Sequence, residues 1–251
     1  MTARVDAIVD VRDFARASSL LAAIWGYPAG HAPMTPEALR ALIHSGNYVA
    51  GAWMNGELVA ASAGWLGLHG DDAFLHSHIT GVEPAYQGGE IGLALKRHQR
   101  TWALERGLTA IEWTFDPLVR RNAYFNLAKL RAVVVGYEVD FYGAMSDSTN
   151  AGEETDRAVT RWCLDASPPP RVDADGAAIV LAANDDGRPR VEQSDADVLR
   201  AWIPEDYLRD RNELTGWRRA VRDTVGVAIR AGYVATEMSR DGWYTLVRGP
   251  V

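Results

Sequence analysis

Residues Tyr48 to Trp53 and Glu57 to Leu66 alternate between apolar and polar positions, with Asn55-Gly56 between them. This pattern predicts two half-buried strands joined by a hairpin, since Asn-Gly accepts the positive φ values of a two-residue turn. Upstream, apolar positions at helical spacing predict a helix from Asp10 or Asp13 to near Gly26. Thr35-Pro36-Glu37 opens another, with Thr as cap and Pro in the first turn, ending at Gly46. Beyond Asp71-Asp72 a strand runs from Phe74 to Val82 and stops at Pro84. Gly88, Gly89 and Gly92 then open a helix whose apolar face is read at positions 91, 94, 95, 98 and 102, with Gly107 as its stop. Thr109 to Phe115 reads as a strand and Arg120 to Leu130 as a helix. Ala132 to Tyr142 and Arg157 to Leu164 read as two more strands.

The run Asp165 to Gly176, with three consecutive prolines, reads as a linker. After it the pattern gives a strand (Ala177 to Leu181), a polar turn (Asn184 to Arg188) and a helix from about Glu213 to Ala231. The strand Tyr233 to Met238, a turn at Arg240-Asp241-Gly242 and the strand Trp243 to Val247 close the chain. The expected organisation is a core over residues 1–165, a linker over 166–176, and an α/β extension over 177–251 that packs on the core and walls one side of its cleft. The expected class is α/β (α+β), with a mixed, mostly antiparallel sheet flanked by helices.

Composition narrows the function classes. The chain has 251 residues, 47% hydrophobic and 24% charged, as in a soluble globular protein. A net charge of −7 gives no support for a nucleic-acid partner. No apolar run reaches the length of a membrane span, and MTARVDAIVD lacks the regions of a signal peptide, so neither a membrane partner nor export is expected. The single Cys163 fits a reducing cytoplasm; its place in an alternating run predicts a buried thiol. Basic residues are nearly all Arg, with Lys only at positions 96 and 129.

The Gly-rich turn carries the chemistry. Unpaired N–H groups at a helix start and the positive end of its dipole suit a phosphate. Val82-Glu83-Pro84-Ala85-Tyr86-Gln87-Gly88-Gly89-Glu90-Ile91-Gly92 resembles the GNAT N-acyltransferase pattern V-x-P-x-x-R/Q-x-x-G-x-G/A. The strings at Leu75–His78 (LHSH), Leu95–Leu104, Trp113–Leu118 (WTFDPL), Arg121–Leu127 (RNAYFNL) and Asp156–Trp162 resemble a bacterial subgroup of predicted GNAT acetyltransferases. The likeness runs well over roughly residues 10 to 165 and loosely beyond.

That resemblance implies a GNAT fold, splayed between strands 4 and 5, with acetyl-CoA or a related acyl-CoA as co-substrate. It implies a phosphate cradle from Gln87, Gly88, Gly89, Ile91, Gly92 and Leu93, and pantetheine pairing along Thr80, Gly81 and Val82. Asn122 and Asn126, four apart on the following helix, are further cofactor contacts by the same resemblance. The chain departs from the family at three places: Glu90 stands where the loop has Gly, Arg131 replaces a Gly after the helix, and Leu127 fills the slot of the usual proton-donating Tyr.

Acyl transfer to an amine needs a proton acceptor, a stabilised carbonyl oxygen and a departing thiolate. His76 and His78, two apart on a strand, share a face and are candidate bases or substrate ligands, or structural histidines. A metal on these two lacks a third ligand at a recognisable spacing. Glu112 and Asp116 share a face of the next strand; Glu112 is an alternative base or an ion-pair partner, and Asp116 orients the amine or caps a helix. Tyr124, one turn before Leu127, is a candidate acid or a core aromatic. Arg121, beside Arg120, suits an acceptor carboxylate, and Trp113, with Trp25 and Trp65, an aromatic pocket or core. The expected activity is transfer of an acetyl or other short acyl group, such as succinyl, to a small-molecule amine, an amino acid being one candidate. A silent acyl-CoA-binding module and a protein N-terminal or lysine acetyltransferase are the alternatives. Oligomeric state is left open, with a homodimer allowed.

Overall fold

A computed structural model describes residues 3–145, 152, 154–167, 169–205 and 211–249, with backbone alone at 211–213. The chain divides into two compact units, Met1–Trp113 with Met145–Gly152, and Thr114–Ala144 with Glu153–Val251.

In the first unit the strands β1 (Arg4–Ala7), β2 (Tyr48–Met54), β3 (Glu57–His69), β4 (Asp72–Val82) and β5 (Ala110–Phe115) follow one another in the sheet. Pairing is antiparallel from β1 to β4 and parallel between β4 and β5. Asn55 (φ 52°) and Gly56 (φ 86°) both take the left-handed backbone that the Asn-Gly hairpin requires. Helix α1 (Val11–Trp25) is capped by Asp10, whose side chain accepts from the Arg12 N–H, and ends at Gly26 (φ 64°). Helix α2 (Pro36–His44) is capped by Thr35, which accepts from the Ala38 N–H. Phe14, Ala17 and Leu21 of α1, with Leu39 of α2, pack on Val49, Ala61, Ala63 and Ile79 of the sheet.

Two irregularities in β4 open this sheet. Ala63 faces Ile79 and Trp65 faces His76, so β3 advances two residues while β4 advances three. The extra residue is a β-bulge at Ser77–His78, which leaves neighbouring β4 side chains on one face. Pairing with β5 consists of Leu75 with Ile111 and His76 with Glu112, and among the described residues it stops there. From Ser77 to Val82 the edge of β4 turned toward β5 is therefore unpaired, which is the expected splay.

Helix α3 (Ile91–Leu104) buries Leu95, Lys96, Gln99 and Ala103. Leu95 of the face read from apolar spacing is buried, and His98 and Trp102 pack on Tyr48; Lys96 and Gln99 widen that face, polar yet inward and held by side-chain hydrogen bonds.

In the second unit the sheet order is β7 (Arg157–Cys163), β6 (Val133–Glu138), β11 (Tyr233–Met238), β12 (Trp243–Arg248), β10 (Val198–Trp202), β8 (Ala178–Ala183) and β9 (Pro189–Val191). Only β10 and β8 pair in parallel among these described strands. Helix α4 (Arg120–Ala123) continues as a π-helical segment, Tyr124–Lys129. Helix α5 (Arg211–Val221) continues through a π segment, Arg222–Gly226, into α6 (Val227–Arg230). The core joins Phe115, Leu118, Leu127 and Tyr137 to Leu181, Leu199, Trp217, Val221, Tyr244 and Leu246.

The mixed, mostly antiparallel α/β class expected from the sequence is the one observed. The short strands β1, β9 and β10 carry too few residues for a hydrophobic pattern and were not foreseen. Cys163 is exposed rather than buried, since it is the last residue of β7. Among the described residues no helix is long and apolar enough to cross a membrane.

Candidate active site

The turn after β4 begins with a 3₁₀ segment, Pro84–Tyr86, and returns into α3 through Gly88 at φ 79°. Tyr86 and Gln87 donate their N–H groups to Glu83 and Pro84, and the helix takes up its own bonds from Ala94 onward. Between them, the N–H groups of residues 88–93 find no protein acceptor among the described backbone hydrogen bonds. This row of donors at the positive end of a 14-residue helix fits a diphosphate. Glu90 is exposed and makes no side-chain cap bond, so its carboxylate is not folded onto those donors. The Gln87 side chain donates to the Val82 carbonyl at 2.8 Å, tying the loop to the strand end. At Gly81 a side chain would meet Trp25 at 2.6 Å and Ile24 at 2.9 Å, so only glycine allows α1 to approach this closely.

On one face of β3 and β4 the imidazoles of His76 and His78 lie 5.9 Å apart, and Trp65 packs against both, at 5.1 and 4.5 Å between centroids. The spacing reading of His76 and His78 on a shared face therefore describes the observed placement. Burial lowers the pKa of His76, with the Glu112 carboxylate working against it and the Lys96 ammonium with it. Burial, then the neighbouring His76, brings His78 down to about 4, so it is neutral near pH 7. The Glu112 carboxylate is buried and lies 2.9 Å from Nε2 of His69. His69 was not among the residues singled out by sequence. It stands alone at the end of the hairpin, seven residues from His76, with no spacing to mark it.

On the α3 side of β4, Ser77 accepts from Lys96 Nζ at 3.0 Å and from Gln99 Nε2 at 2.9 Å. Gln99 also donates to Ser62, whose hydroxyl lies 2.7 Å from that of Thr80 and donates to the Ile79 carbonyl. Lys96 Nζ sits 3.8 Å above the Trp113 ring. Trp113 is thus buried under a cation rather than lining an aromatic pocket. Burial brings Lys96 down to about 7, while the ring face and the Ser77 hydroxyl favour its charged form.

The second unit holds the other sequence candidates. Asp116 accepts from the Leu118 N–H at 2.9 Å, the capping role, and pairs with the buried Arg218 at 3.0 Å. Tyr124 is half-buried, and its hydroxyl accepts from Arg240 Nε at 3.0 Å; that bond lowers the phenol pKa against the opposing effect of burial, with Coulomb attraction to Arg240, Lys129 and Arg171 adding to it. Arg121 and Asn122 are exposed, and Asn126 and Leu127 are buried. Arg131 has φ 58°, the left-handed backbone that explains why the related pattern carries Gly there. Asp156 of the DRAVTRW string accepts from Tyr137, from the Asp140 N–H and twice from Arg222; these bonds outweigh burial and hold its carboxyl below the usual range. Among the described residues no group of three or more His, Cys, Asp or Glu could hold a metal ion.

No family model matches the chain, and no curated protein matches it. Solved structures do. The protein yncA of Salmonella typhimurium, solved with acetyl-CoA, aligns at 14% identity and TM-score 0.52 over 69% of this chain and 100% of its own. Aminoglycoside 6'-acetyltransferase type Ii aligns at 18% and 0.51 over 66% and 99%. Arabidopsis thaliana Naa50, solved with a CoA–peptide bisubstrate analogue, aligns at 16% and 0.50 over 64% and 98%. At such identities the likeness is one of fold, and the chain has the fold of these acetyltransferases.

Proposed function

We propose that this protein is an N-acyltransferase that moves an acetyl or other short acyl group, such as succinyl, from acyl-CoA to the amine of a small molecule. The observation that carries the reading is the row of unpaired N–H donors at residues 88–93, following directly on a β4 edge left free beyond His76. Those donors would hold the diphosphate, with Gln87, Gly88, Gly89, Ile91, Gly92 and Leu93 as the cradle. The free edge at Thr80, Gly81 and Val82 would pair with the pantetheine amides. Acyl-CoA supplies an activated carbonyl as its thioester when bound.

The acceptor must attack as a neutral amine. His76, His78 and Glu112 gather on the face that leads into the splay, where the amine would be held and lose its proton. Trp65 excludes water on that side and orients the two imidazoles. In the second unit Tyr124 has the chemistry of a proton donor, since its bond to Arg240 stabilises the phenolate that remains. An amino-acid-like acceptor is the favoured class.

A second reading, a silent acyl-CoA-binding module, draws on the burial of Leu127 in the slot of the usual Tyr. Acetyl-CoA and succinyl-CoA tested with a panel of amines, amino acids and peptides separate the cases. Thiol release with a small amine supports the main reading, and release with peptides alone makes the protein a peptide acetyltransferase. Tight binding without release supports the silent module. If neither thioester binds, both readings fail.

A further inference from the structure

The three histidines on the open face of β3 and β4 are not equivalent. His76 and His78 are half-buried against Trp65. His69 ends β3, and its side chain is 59% exposed while that of Glu112 is only 7% exposed. Its ring is held on both sides. Nε2 meets the Glu112 carboxylate at 2.9 Å, and the ring plane stacks on Phe74 at 4.5 Å and 16°. Phe74 itself is seated where Gly67 leaves room, since a side chain there would meet the ring at 2.4 Å.

The position matters as much as the pair. Glu112 faces His76 in the last β4–β5 register pair, so the His69–Glu112 couple stands where the splay begins. A buried carboxylate holding one nitrogen of an exposed imidazole fixes its tautomer: the proton lies on Nε2, and Nδ1 keeps a lone pair. The same carboxylate faces the positive charge that the ring carries once Nδ1 takes a proton. The charged or titratable groups around His69 are Glu112 on β5, Asp72 directly across the hairpin, Asp71 in its turn, and His76 on β4.

We propose that His69 is the catalytic base that takes the proton of the acceptor ammonium, with Glu112 as its positioning residue. This rests on the acyltransferase reading above and assigns the base within it; His76 and His78 then act as ligands of the amine. Two protons leave the nitrogen. The first passes to Nδ1 of His69 and frees the lone pair that forms the C–N bond. The second leaves as the tetrahedral adduct collapses and the C–S bond breaks with its electron pair on sulfur. One proton ends on sulfur, and the other reaches solvent from His69.

The test uses the full chain with His69→Gln, His76→Gln, Glu112→Gln and the His69→Gln/Glu112→Gln double variant, followed by thiol release with the best acceptor. His69→Gln is expected to lower kcat by about 10²- to 10⁴-fold with KM for acyl-CoA held. It should also abolish the acid limb of the kcat/KM profile, which wild type and His76→Gln retain. Glu112→Gln alone should lower kcat less, and it should add nothing in the His69→Gln background, because it acts through His69. A pair that merely ties the hairpin to β5 would lower stability and leave the acid limb in place. Wild-type turnover with an unaffected His69→Gln limb overturns the assignment and leaves the acyltransferase reading standing. No turnover by wild type overturns both.

Discussion

Lys96 concentrates the conflict between local pattern and packing at the scale of one residue. A lysine on a helix is expected to face water, yet here it is buried between Ser77 and the Trp113 ring. Its folded pKa of about 7 against an ordinary 10.5 fixes the sign of a pH effect. Below about 7 the folded chain bears the buried charge in full. Between about 7 and 10.5 it has released the proton while the unfolded chain still holds it, so stability rises with pH in that window. Lys96→Met should remove this rise, whose slope approaches about 1.4 kcal/mol per pH unit. Urea unfolding of both proteins at the two ends of the window measures it; equal slopes would refute the burial argument. Such residues were illegible because residue type alone predicts polar outside. Arg131 was legible, since the departure from Gly flagged a backbone position that does adopt φ 58°.

At the scale of elements, caps and turns were read well and faces less so. Asp10, Thr35 and Asn55-Gly56 act through bonds within a few residues, so their sequence context is complete. The bulge at Ser77–His78 and the inward side of α3 depend on partners far along the chain. The packing of α1 on β4 gives a paired prediction. Gly81→Ala should cost about 1–3 kcal/mol by overpacking Trp25 and Ile24. Gly89→Ala meets nothing nearer than 3.7 Å, so its stability should stay within about 0.5 kcal/mol. Thermal melts compare the two. Loss of acyl-CoA affinity in a fully stable Gly89→Ala protein would then report on the loop as a ligand cradle.

At the scale of the whole molecule, the border between the two units falls inside β5, where hydrophobic alternation is unbroken and no change of composition marks it. The second unit's core draws seven residues from Phe115 to Ala158 and seventeen from Val180 to Leu246. Asp156 is likewise clasped by Arg222 from the far side of the proline-rich run. A chain ended after Asp165 should therefore lose ordered structure from Thr114 onward, read as rapid proteolysis there; resistance equal to that of the full chain would refute this. Lys96 also bears on how such a chain survives its own chemistry. Activated thioesters acylate accessible amines without any catalyst, and a protein that gathers them is the first target. This chain has two lysines, one sealed beneath an indole and the other, Lys129, exposed on the π segment after α4. Its cationic surface is otherwise carried by arginine, which does not react this way, so Lys129 is the lysine on which the reagent this fold is proposed to hold would leave its mark.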